Sequence, residues 1–68
     1  MYFTVKFYKY YEKGATPVYE TTEPSLYDAM VCARLGTGDT DCGLAEVLDS
    51  HGQFIVHFED GELRHGYE

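Results

Sequence analysis

The chain has 68 residues, about half a typical domain, so one hydrophobic core is expected and no second functional module. Apolar residues make up 44% and aromatics 16%, too much for a disordered chain; a domain this small buries only about 60% of its unfolded surface and gains from good packing or a partner. Twelve Asp and Glu against five Lys and Arg leave a net charge of −7, which argues against direct binding of nucleic acid or of anionic membranes.

The charge is uneven. Lys6, Lys9 and Lys13 against Glu12 leave residues 1–19 at +2, whereas eleven acids against Arg34 and Arg64 leave residues 20–68 at −9. No apolar run approaches the ~18 residues of a membrane span and no basic-then-apolar leader occurs, so the expected location is cytoplasmic. Cys32 and Cys42 are a lone pair without secretory context and are expected to stay reduced.

Tyr2 to Tyr11 reads as a strand in which Phe3, Val5 and Phe7 alternate with polar positions and face a core. Glu12-Lys13-Gly14 supplies a turn, and extended character resumes from Pro17 to Thr22, completing a first hairpin. Ser25 with Asp28 three residues on forms an acidic capping box, so a helix is expected from Leu26. Leu26, Ala29, Met30 and Ala33 form its apolar stripe, and Gly36 after Leu35 is a natural C-terminal cap. Val31 and Leu35 make a second stripe on the far side.

Residues 36–43 read as a loop of small and acidic residues. Leu44 to Asp49 and Gln53 to Phe58 then form a second hairpin about Ser50-His51-Gly52, with Phe54, Val56 and Phe58 on one face. Asp60-Gly61 is a favoured hairpin pair that can fold Leu63 to His65 back as a short edge strand. The fold class expected is α+β: a small antiparallel sheet of four or five strands, order ββαββ, in one domain over 1–68, with one helix on one face. The expected core is Phe3, Val5, Phe7, Leu26, Met30, Ala33, Val47, Phe54, Val56 and Phe58. The uncovered face is expected to show Tyr2, Thr4, Lys6, Tyr8 and Tyr10, with Tyr19 beside them.

His51, His57, His65 and Cys42 are ligand types without ligand spacing; the expected roles are a turn residue, a solvent-facing strand residue and a tail residue for the histidines. No metal and no cofactor are expected. Asp39-Thr40-Asp41 lacks the remaining positions of a calcium loop. Neither a nucleophile elbow nor a catalytic-cysteine pattern occurs, and Cys32 reads as a small core residue, so the chain is not expected to be an enzyme. Tyrosines on an open sheet suggest base stacking, but the basic charge that accompanies it in single-strand binders is missing.

Asp39, Asp41, Glu46, Asp49, Glu59, Asp60 and Glu62 gather mostly in loops and turns, where carboxylates can imitate phosphates toward a basic groove. With its 68 residues, ββαββ order, acidic run from Asp39 through Glu62 and no catalytic constellation, the chain resembles the small acidic proteins that phages and mobile elements use against host defence, above all anti-CRISPR proteins. That resemblance implies a stoichiometric inhibitor occluding a basic nucleic-acid-binding surface of an effector. The partner-binding residues expected are Asp39, Asp41, Asp49, Glu59, Asp60 and Glu62, with Tyr2, Tyr8 and Tyr10 as aromatic anchors. The alternative is a homodimeric or complex-forming structural subunit assembled through Val31 and Leu35 or the tyrosine face.

Overall fold

Alternation of large apolar and polar side chains makes Phe3–Tyr8 a strand, β1, with Val5 and Phe7 fully covered. The structure, a computed structural model, describes residues 1–9, 16–39 and 42–64. Further along the chain come β2 (Tyr19–Glu23), helix α1 (Leu26–Asp39), β3 (Leu44–Leu48), β4 (Phe54–Glu59) and β5 (Glu62–Arg64). The five strands form one antiparallel sheet in the order β2-β1-β3-β4-β5, with α1 packed across it, an α+β fold. Since β2 and β3 both run antiparallel to β1, they are parallel to each other, and α1 is the crossover of a split βαβ unit.

The core lies between helix and sheet. Val5 faces Val47, Phe7 faces Ala45, and these in turn face Val56 and Phe58, while Ala29 and Ala33 close the layer from α1. Phe3, Met30, Cys32 and Ile55 pack against this cluster half-buried. Leu26, expected inside, is more than a third exposed: it occupies the first helical position, where few neighbours reach it. Small residues carry the central contact and bring the helix close to the sheet.

The helix starts as expected, the amide of Asp28 donating to Ser25 Oγ at 3.1 Å. It does not end at Gly36 but continues to Asp39, so half of the expected loop is helical. Gly36 is needed for proximity, since a Cβ there would come within 2.2 Å of the buried Phe7 ring. The next residue, Thr37, is buried; its hydroxyl donates to the Ala33 carbonyl at 2.9 Å and accepts the Gly61 amide at 3.0 Å. Asp60 and Gly61 both have positive φ, 51° and 84°, the signature of the tight hairpin turn that Asp-Gly favours. Thr37 therefore clamps the β4–β5 turn to the helix.

A bulge decides the second hairpin. Pairing runs Ala45 with Phe58, Glu46 with His57 and Val47 with Val56, then shifts so that Leu48 meets Phe54. One extra residue on β4 sends Ile55 toward the core and Phe54 to the outer face, where it is 40% exposed with its ring 6.0 Å from the His57 ring. Phe54 is thus not a core residue.

Candidate functional site

The face of the sheet away from α1 is built by the positions that alternate with the core. One row crosses all five strands as Glu20, Lys6, Glu46, His57 and Arg64, and the next joins Tyr8, Leu44, Glu59 and Glu62. Opposite charges meet at Glu20–Lys6 and Lys6–Glu46, the favourable kind of cross-strand pair.

His57, expected at the solvent, is 1% exposed although it faces away from the helix. The bulge explains this, because it brings the Phe54 ring over one side of the imidazole. Nε2 of His57 lies 3.1 Å from Glu59 Oε1. Beside it the Tyr8 hydroxyl donates to Glu46 Oε1 at 2.9 Å. Burial, that bond and the charges of Glu46 and Glu20 push the Tyr8 phenol up to about 12. Leu44 is 3% exposed on the same face, so this end of the open face has a packed floor.

Glu59, Asp60 and Glu62 stand around the β4–β5 turn at that same end, with Asp60 exposed and the Glu62 side chain 73% exposed. Glu62 lies 3.4 Å from Arg64, an exposed pair that adds little to stability. The turn is fixed against its neighbours, the Asp60 amide donating to the Gly43 carbonyl at 3.0 Å and Gly61 resting on Gly38 and Thr37. The backbone of Asp39 closes the helix beside it.

The remaining expected contacts separate from this group. Asp49 belongs to the β3–β4 turn at the other end of the strands, and its Oδ1 accepts the amides of His51 at 2.8 Å and Gln53 at 2.9 Å. The Gln53 amide first, with those of His51 and Gly52, holds its carboxyl below the usual value of 3.8. A lowered pKa in the folded state means that this brace is complete above that value and is lost as the pH falls below it. Asp49 is thus a turn-forming residue.

Tyr2 is half-exposed just before β1, at the Asp49 end. Tyr19 is not on the outer face: it pairs with Phe7 and stacks on that ring at 4.6 Å and 18°, on the helix side. Asp41 and Tyr10 lie outside the described residues, as does His65. What the sequence reading missed is the Tyr8–Glu46 pairing, which needed the β1–β3 register, and the His57–Glu59 pairing within β4. Only the period-two placement of Tyr8, and of His57 with Glu59, was a usable hint.

Cys32 and Cys42 are not joined to each other by a disulfide, and no three His, Cys, Asp or Glu side chains among the described residues are arranged to hold a metal ion. Among the same residues no helix is long and apolar enough to cross a membrane. Comparison with protein-family models, with curated proteins and with solved structures found no match to this chain.

Proposed function

We propose that this chain is a non-catalytic protein-binding module that sets the carboxylate-rich end of its open sheet face against a basic, nucleic-acid-binding surface of its partner, as an anti-CRISPR-type inhibitor would. The observation that supports the reading best is the clustering of Glu59, Asp60 and Glu62 on a turn held to the helix by Thr37, beside Tyr8 and Glu46. Carboxylates on a fixed turn need no backbone ordering when a partner arrives, so less conformational entropy is lost on binding. Tyr8 and the exposed Phe54 add aromatic area to the same face, the kind of residue that anchors interfaces.

A competition assay tests this. Purified chain is titrated into CRISPR effector complexes while their binding of target nucleic acid is read by mobility shift. Loss of target binding at stoichiometric amounts, relieved by added salt, is the expected result. Unimpaired target binding across the effectors, with a dimeric mass in light scattering, would contradict the reading and favour the assembly subunit instead.

A further inference from the structure

On the helix side of the sheet an open groove of about 420 Å³ runs between α1 and the β4–β5 hairpin. Tyr27, Val31 and Arg34 line it from the helix at i, i+4 and i+7, Phe58 forms its floor and Leu63 its far wall. Half of the second helical stripe that core packing leaves unexplained is thereby placed: Val31 lines this groove, whereas Leu35 stays 53% exposed. The hairpin wall is held in position, because Gly61, which also lines the groove, donates its amide to Thr37. The groove exists before any ligand arrives.

Arg34, its one cation among the described residues, is the decisive feature. In a chain of net charge −7, no carboxylate among the described residues forms an ion pair with the Arg34 guanidinium, whereas Arg64 pairs with Glu62. An apolar trough ending in a guanidinium with no counter-ion among the described residues complements an apolar body ending in one carboxylate. Tyr27 and Arg34 are seven residues apart, roughly 10 Å along the helix axis, a span too short for a helical partner segment and suited to a small molecule. We propose that this groove binds a small apolar monocarboxylate, its chain lying over Phe58 between Val31 and Leu63 and its carboxylate on Arg34. This site shares the β4–β5 hairpin with the acidic turn but lies on its helix side, whereas the carboxylates of the proposed partner surface belong to the open face.

Octanoate is the probe, with octanol and octylamine as neutral and cationic counterparts of equal length, each titrated into the ¹⁵N-labelled full chain. Saturable shifts confined to Tyr27, Val31, Arg34, Gly61 and Leu63 are expected with octanoate, and at least fivefold weaker binding of octylamine. Arg34→Gln should weaken octanoate at least fivefold while leaving octanol unchanged, and Leu63→Ser should weaken both, with amide dispersion reporting that each variant stays folded. Equal affinity for all three probes, shifts that do not saturate, or groove shifts that follow protein concentration instead of octanoate would overturn the proposal. The last result would give the groove to a second copy of the chain.

Discussion

Tyr8 is where burial and charge act together on one atom. Its phenol is half-buried, donates to Glu46 and faces the fields of Glu46 and Glu20, all of which disfavour phenolate. With the folded pKa raised from 10.0 to about 12, the contribution of this group is complete below the ordinary value and is lost as the pH rises through the shifted one. Phenolate absorbance compared between wild type and Tyr8→Phe should show the missing tyrosine in the latest part of the titration. A difference curve centred near the ordinary tyrosine value would contradict the Tyr8–Glu46 pairing. Gly36 shows the reverse economy, a residue defined by having no side chain where the helix crosses Phe7.

Among the elements, β4 is the one whose local pattern misleads. Phe54, Val56 and Phe58 have the spacing of a single buried face, but the shift opposite Val47 and Leu48 turns Phe54 outward. Phe58→Ala should therefore cost about 3–5 kcal/mol, the usual range for emptying a buried aromatic site. Phe54→Ala, which removes a ring 40% exposed, should cost clearly less, about 1 kcal/mol in chemical denaturation. Equal losses would restore Phe54 to the core. Period-two alternation in β1, the Ser25 cap and the Asp60-Gly61 turn were legible because each depends on residues close in sequence. The bulge depends on the β3 partners of Phe54 and Val56, 6 and 9 residues away, and the helical passage through Gly36 on Phe7, 29 residues away; no local pattern encodes them, and the burial of His57 follows from the bulge. For the same reason the carboxylates were readable as a group but not as two groups: topology alone puts Asp49 at one end of the sheet and Glu59, Asp60 and Glu62 at the other.

At the scale of the molecule, that division sets how charge works. The five residues of β3 separate the two ends by roughly 17 Å at ~3.4 Å per residue, about twice the ~8 Å screening length at physiological salt. The two acidic turns therefore act on a partner independently, and the end bearing Glu59, Asp60 and Glu62 is the one that also carries Tyr8 and Glu46. Charge at that end should govern the encounter more than the lifetime of a complex. The most direct measurement is the association rate with an effector complex inhibited in the competition assay, comparing wild type with the Glu59→Gln, Asp60→Asn, Glu62→Gln triple variant at low and physiological salt. Asn suits the positive φ at position 60 and Gln preserves an acceptor for His57, so the fold is kept. The account predicts association slowed about tenfold or more at low salt, a smaller difference at physiological salt, and a dissociation rate changed far less. Association of the triple variant at the wild-type rate under both conditions would contradict it.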